Sequence, residues 1–201
     1  MFRQQDLLMN EIRQPKINIS GLIYISDFIT SAEHSFLLSQ IDKEPWLTDL
    51  KRRVQHYGYK YDYRARNLDH SAYLGSLPDW LSAISYKLHD DSIFPSIPDQ
   101  VIVNEYLPGQ GISAHIDCVP CFANTIASLS LGSPCTMDFF HPKTGEKKSI
   151  VLEERSLIVL SSTARYEWQH AIPARKSDVI NGIKTERTRR VSLTFRSIIL
   201  G

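Results

Sequence analysis

From Gln100 onward the chain breaks into short β-rich runs separated by turn signals, and few folds accept such a pattern. The runs are 100–107, 112–116, 125–131, 136–140, 148–152, 156–161 and 189–199. Pro108-Gly109, Gly132-Ser133-Pro134 and Lys143-Thr144-Gly145 punctuate them. Many short strands in one stretch predict a sandwich or barrel. The first half reads differently. Residues 17–29 suggest one or two strands around Gly21, after 16 polar residues that read as frayed or a short helix. Thr30 and Glu33 then form a capping box before a helix with Leu37, Leu38 and Ile41 on one face, stopped by Pro45. Leu77, Leu81, Ile84 and Leu88 mark a second helix over 78–89. Helices gathered in the first half would cover one sheet, giving an α+β domain with a β-sandwich core.

Composition narrows the function. The 201 residues suit one domain. A formal net charge of +1 excludes a heavily basic protein that coats nucleic acid. Three cysteines, an odd count, argue against a secreted disulfide framework. No apolar run approaches the ~18 residues of a membrane span, and no secretory signal is visible. A cytoplasmic location is expected, or the nucleus in a eukaryote.

His115-Ile116-Asp117 is the first chemical signal. Residues two apart on a strand share a face, so imidazole and carboxylate converge on one ion. His170 is the best third ligand, and two His with one carboxylate leave open positions on non-haem Fe(II). The run from Arg190 to Arg196 alternates throughout, with Val191, Leu193 and Phe195 on one face. Arg190, Ser192, Thr194 and Arg196 form either a solvated outer face or a double anchor for a dicarboxylate. Asn104 and Tyr106 share a face in the same way.

Together these residues resemble the AlkB family of Fe(II)/2-oxoglutarate dioxygenases. The matching pattern is Asn104-x-Tyr106-x-Pro108-Gly109, His115-x-Asp117, His170 and Arg190-x-Ser192-x-Thr194-x-Arg196, in the family's order. Arg53-Val54-Gln55-His56-Tyr57-Gly58-Tyr59 and Ser128-Leu129-Ser130-Leu131-Gly132 look most like the branch containing the animal tRNA wobble-uridine hydroxylase. The resemblance implies a double-stranded β-helix, or jelly roll, with N-terminal helices packed on one sheet. It implies one domain over 1–201, with a helical and nucleotide-recognition portion over about 1–98 and a catalytic core over 99–201. His115, Asp117 and His170 would be the catalytic iron ligands. Arg190, assisted by Tyr106, would hold the distal carboxylate of 2-oxoglutarate, with Arg196 and Asn104 near its chelating end. Ser192 departs from the Asn of some members. Fe(II), 2-oxoglutarate and O2 are the implied cofactor and cosubstrates, consumed with release of succinate and CO2.

The N-terminal half adds a basic, aromatic stretch. Between Lys43 and Asp69 seven Lys or Arg face four Asp or Glu, with Tyr57, Tyr59, Tyr61 and Tyr63 interleaved. Alternate tyrosines can simply pack on a sheet. The resemblance places a lid here, so Arg52, Arg53, Tyr57, Tyr59 and Trp46 are candidate substrate contacts for an unpaired or flipped base. Arg187 and Arg189 are weaker candidates for the phosphate backbone, after a polar loop over 176–185. Cys118-Val119-Pro120-Cys121 lacks the partners of a zinc site, and two reduced thiols are expected.

The favoured reading is oxidative dealkylation of bases in DNA or RNA, releasing formaldehyde, by a monomer with no membrane association. The alternative is hydroxylation of a modified wobble uridine in tRNA. The animal enzyme of that branch resembles a fusion with an RNA-binding module and a methyltransferase, and 201 residues hold neither. A third reading is a non-catalytic jelly-roll module that binds nucleic acid, which has no need of an intact triad.

Overall fold

The structure, a computed structural model, describes residues 17–48, 50–62 and 70–200. The expectations for the first 16 residues and for Tyr63 lie outside the described residues. In chain order the elements are β1 (Leu22–Ile25), α1 (Ser31–Ile41), β2 (Val54–Tyr57), α2 (Asp79–Asp90), β3 (Gln100–Tyr106), β4 (Ile112–His115), β5 (Phe122–Gly132) and β6 (Cys135–Phe140). There follow β7 (Lys147–Leu152), β8 (Leu157–Leu160), α3 (Ser162–Tyr166), β9 (Gln169–Ile172), β10 (Ser177–Ile180), β11 (Ile183–Glu186) and β12 (Arg190–Ile198). A six-stranded sheet runs β1-β8-β5-β12-β3-β2, and a four-stranded sheet runs β4-β9-β6-β7. This is the α+β jelly roll expected from the sequence. Strands from the first half of the chain, β1 and β2, close the larger sheet at its two edges.

Local sequence explains the helices. Thr30 accepts a hydrogen bond from the Glu33 backbone N–H, and the Glu33 carboxylate accepts one from that of Thr30. Such a box is worth about 1 kcal/mol. The helix ends at Ile41, ahead of Pro45, with the Asp42 N–H closing its last turn. Leu37 and Ile41 of α1, with Leu81, Ile84 and Leu88 of α2, pack against Val101, Leu129, Val191, Leu193 and Phe195 of the larger sheet. A second core, including Tyr106, Phe139, Leu152 and Ile158, fills the space between the sheets.

Strand β12 pairs with β3 on one side and β5 on the other. Its odd-numbered side chains enter the helix-side core. Its even-numbered ones face the smaller sheet, because Arg190 pairs with Tyr106 and directly opposed residues share a face. A solvated outer face is therefore excluded: Arg190 and Arg196 are both buried.

The polar loop expected over 176–185 is instead the hairpin β10–β11. Asn181 and Gly182 both take positive φ, 51° and 79°, as a two-residue hairpin turn requires. Its base is locked by Asp178, which accepts hydrogen bonds from Arg175 Nε at 2.8 Å and from Arg187 Nε and Nη2 at 2.5 and 3.0 Å. Burial alone would raise the Asp178 pKa, but the two guanidinium groups override it and bring it down to about 2.

A depressed folded-state pKa adds stability that is complete above the ordinary carboxylate pKa and is lost as pH falls toward 2. Asp178→Asn strands the buried Arg187 charge. It should cost about 3–5 kcal/mol in thermal or urea unfolding at pH 7, and the deficit should shrink as the pH is lowered through 4 to 2.

Candidate metal and cosubstrate site

Strands β4 and β9 are neighbours, and His115 pairs directly with His170. Opposed residues share a face, so the two rings meet with centroids 4.4 Å apart. Two residues beyond His115, the Asp117 carboxylate comes to the same side. Its Oδ1 lies 3.3 Å from His115 Nε2 and 4.0 Å from His170 Nε2. One donor atom from each residue falls within 4.8 Å of the others.

The surroundings prepare all three donors. His115 Nδ1 is 2.8 Å from the Ser113 carbonyl. A carbonyl only accepts, so Nδ1 carries the proton and Nε2 keeps its lone pair for a metal. Burial brings the His170 pKa down to about 4, leaving a neutral imidazole at physiological pH. Burial alone would raise the Asp117 pKa, but the Arg196 guanidinium holds it well below the usual range. Arg196 donates from Nε and Nη2 to Asp117 Oδ2 at 3.2 and 3.1 Å, so Oδ1 is the oxygen turned to the imidazoles. Two imidazoles and one fixed carboxylate suit Fe(II).

Arg190 supplies a second anchor. It is 2% exposed and donates from Nη2 to Ser130 Oγ at 3.0 Å. Its Nε and Nη1 are buried with no hydrogen-bond partner among the described residues. A buried guanidinium with an unpaired edge is costly unless an anion completes it. A carboxylate would complete that edge, beside the Tyr106 ring whose centroid is 5.5 Å away. The Ser192 hydroxyl, on the same face of β12, meets Ser128 Oγ at 2.7 Å. Asn104 Oδ1 accepts from Arg52 Nε at 2.8 Å, which ties the cosubstrate side of the site to the N-terminal half.

A cavity of about 530 Å3 opens onto this centre, walled by Tyr61, Phe122, Arg52, Lys51, Asn104 and His115. Of the expected substrate contacts, only Arg52 lines it. Trp46, Arg53, Tyr57 and Tyr59 do not, and each has another task. Arg53 binds Glu105 from Nη2 at 2.8 Å and lies 4.6 Å above the Trp46 ring. Tyr57 donates to Gln55 Oε1 and meets Trp80 edge-on, and burial raises its pKa. Gly58 breaks the tyrosine alternation. Its φ is +75° and a Cβ there would sit 1.9 Å from the Asp99 carbonyl oxygen. Beyond that kink Tyr59 packs on Tyr73 while Tyr61 reaches Phe122 in the cavity wall. Strict alternation hides this difference, and Gly58 was its only sequence signal. Arg187 and Arg189 are likewise corrected: Asp178 holds the first, and Asp42 and Glu105 hold the second. Cys118 and Cys121 form a disulfide rather than two thiols.

A family profile described as the 2OG-Fe(II) oxygenase superfamily matches residues 21–196. The chain is 39% identical over 209 residues to the "Alkylated DNA repair protein ALKBH8 homolog" of Arabidopsis thaliana, covering 91% of this chain and 60% of that protein. The chain belongs to the AlkB family of 2OG-Fe(II) oxygenases. It is a dioxygenase that uses Fe(II), 2-oxoglutarate and O2. A mimivirus protein, "Uncharacterized protein L905", is 39% identical and is matched over 90% of this chain and 87% of its own length. The Xenopus tropicalis "tRNA (carboxymethyluridine(34)-5-O)-methyltransferase alkbh8" is 34% identical over 96% of this chain, which spans 34% of that protein. Among solved structures, that of OsALKBH1 superposes with a TM-score of 0.71 at 16% identity, covering 92% of this chain and all (100%) of that one. Among the described residues no helix is long and apolar enough to cross a membrane.

For an AlkB-family oxygenase, the donor set and the open Arg190 edge lead to separate tests. Asp117→Ala should abolish both Fe(II) binding and succinate release. Arg190→Met should leave Fe(II) binding intact but raise the 2-oxoglutarate Kd by about 30-fold or more, the cost of losing one partner of a buried charge pair. Isothermal titration of each ligand separates the two effects.

Proposed function

We propose that this protein hydroxylates a carbon substituent on a modified uridine in tRNA. The observation that carries the reading is the charge of the cavity. Lys51 and Arg52 line it, and among the described residues its one acid, Asp117, is committed to the metal position and to Arg196. Bases methylated at ring nitrogens by alkylation, such as 1-methyladenine and 3-methylcytosine, are cations. A cavity walled by cations disfavours them. A uridine is neutral, and a carboxymethyl substituent adds an anion or ester that a guanidinium binds well. The name of the Xenopus relative, with its carboxymethyluridine at position 34, supports the same substrate class.

Tyr61, packed on the buried Phe122 ring, offers a face for the base, and the exposed Lys51 in the lining suits a phosphate. When bound, Fe(II) with 2-oxoglutarate and O2 supplies the oxidising equivalent and turns the cosubstrate into succinate and CO2. The protein's own share is positional. Arg190 orients the cosubstrate, Arg196 fixes the ligand carboxylate, and the aromatic walls exclude water from the reacting carbon. Hydroxyl on a carbon-bound substituent stays in the product, whereas on an N-methyl group it leads to loss of formaldehyde.

A second reading, oxidative dealkylation of DNA or RNA bases, is favoured by the name of the Arabidopsis relative. One experiment divides the two. Methylated single strands and tRNA carrying carboxymethyl-type uridines are incubated with Fe(II) and 2-oxoglutarate, and the nucleosides are resolved by mass spectrometry. The expected product is uridine derivatives with one added oxygen and no formaldehyde. Formaldehyde with restored unmodified bases, and no oxygenated uridine, would establish dealkylation instead. Arg52→Glu should cut turnover of the uridine substrate by about tenfold or more, as a like-charge contact would.

A further inference from the structure

The iron-ligand carboxylate lies off the end of its strand. The β4–β9 ladder pairs Ile112 with Ile172 and His115 with His170, with a register shift between them, and β4 stops at His115. Two imidazoles are therefore fixed by strand pairing, and Asp117 is not. It sits in the connection from β4 in the smaller sheet to β5 in the larger one. Arg196 grips its side chain from β12. The backbone of this connection needs its own support.

That support is Arg165, a residue that no motif singled out. It belongs to α3, is 2% exposed, and directs its guanidinium at three carbonyls of this one connection. Nη1 donates to the Asp117 carbonyl at 3.0 Å, and Nη2 donates to those of Cys118 at 3.1 Å and Phe122 at 3.4 Å. The three acceptors bracket the connection from the ligand itself to the first residue of β5. The Cys118–Cys121 disulfide closes the turn between them. Five residues after Arg165 comes His170, the ligand on β9.

We propose that Arg165 is the positioning residue that sets Asp117 against His170. It links the two segments that bring these ligands together where no strand pairing does so. A buried cation is a costly way to brace a turn, since an ordinary turn braces itself with backbone hydrogen bonds. The cost is offset here by what one planar group achieves. It satisfies three carbonyls pointing at one spot, which neither a lysine nor a water can reproduce with the same fixed fork. Its positive charge also stands near the Asp117 carboxylate, adding to that of Arg196. The inference concerns the metal centre alone, so it is independent of which nucleic acid the enzyme takes.

The test uses Co(II) and Fe(II) binding to the full chain under anaerobic conditions, with the disulfide kept intact. Arg165→Lys retains the charge and loses the fork, and Arg165→Gln loses both. Leu88→Ala, in the helix-side core remote from the centre, serves as a variant that is merely less stable. Arg165→Lys and Arg165→Gln should weaken metal binding by about 10–100-fold, the range for residues that support a ligand, and shift the ligand-field bands of bound Co(II). Leu88→Ala should lower the melting temperature and leave both readouts unchanged. Wild-type metal Kd and Co(II) spectrum in folded Arg165→Lys and Arg165→Gln would overturn the proposal. So would failure of both to fold, since Arg165 would then be a scaffold residue only.

Discussion

The strand β12 lies between two interiors of opposite chemistry, and the rest of the molecule is arranged around that demand. One of its faces must be apolar enough to seat two helices. The other must hold two arginines away from water without leaving them unsatisfied. Strict alternation meets both needs, because a one-residue slip would exchange the faces entirely. Pairing with β3 and β5 on both sides makes such a slip costly, since each neighbour carries its own matched alternation. Position in the sheet, rather than any single contact, is what turns a row of polar side chains into a binding site.

Much of this was legible because period-2 patterning and charge type report directly on burial. The Thr30–Glu33 box and the apolar faces of both helices follow from local spacing, whereas Asp117 meets His115 from beyond the end of β4. The third candidate ligand, His170, could be chosen only as the best remaining histidine, because nothing in the spacing says that β9 lies beside β4. What stayed hidden depended on partners distant in sequence. Arg53 and Arg189, candidate substrate contacts by charge type, are paired with Glu105 and Asp42, acids remote from them in sequence. Arg165 carries no signal at all, since a guanidinium that binds backbone carbonyls leaves no pattern in side-chain types. The hairpin β10–β11 is a different case. Its Asn181-Gly182 turn was readable, but the flanking residues are too polar to suggest strands.

The distribution of charge shows how a chain of nearly zero net charge can meet a polyanion. The network of Arg53, Arg189, Glu105 and Asp42 and the cluster at Asp178 are internally neutralised and serve the fold. Arg190 and Arg196 are turned inward, to the cosubstrate side and to Asp117. The other cations that line the cavity, Lys51 and Arg52, are few and local. With the nucleic-acid substrate proposed above, such a surface would give modest, salt-sensitive attraction to phosphate and leave discrimination to the cavity walls.

The disulfide beside the metal centre has a consequence for the enzyme's durability. An oxygenase that is activated without substrate in place turns its oxidant on whatever lies nearest, and a thiolate is the most vulnerable group a protein can put there. Cys118 and Cys121 adjoin the ligand Asp117, and both are buried. Joined to each other, they offer no free thiolate to sulfenic or sulfinic acid formation. A misfired cycle would therefore find no free thiol at these two positions.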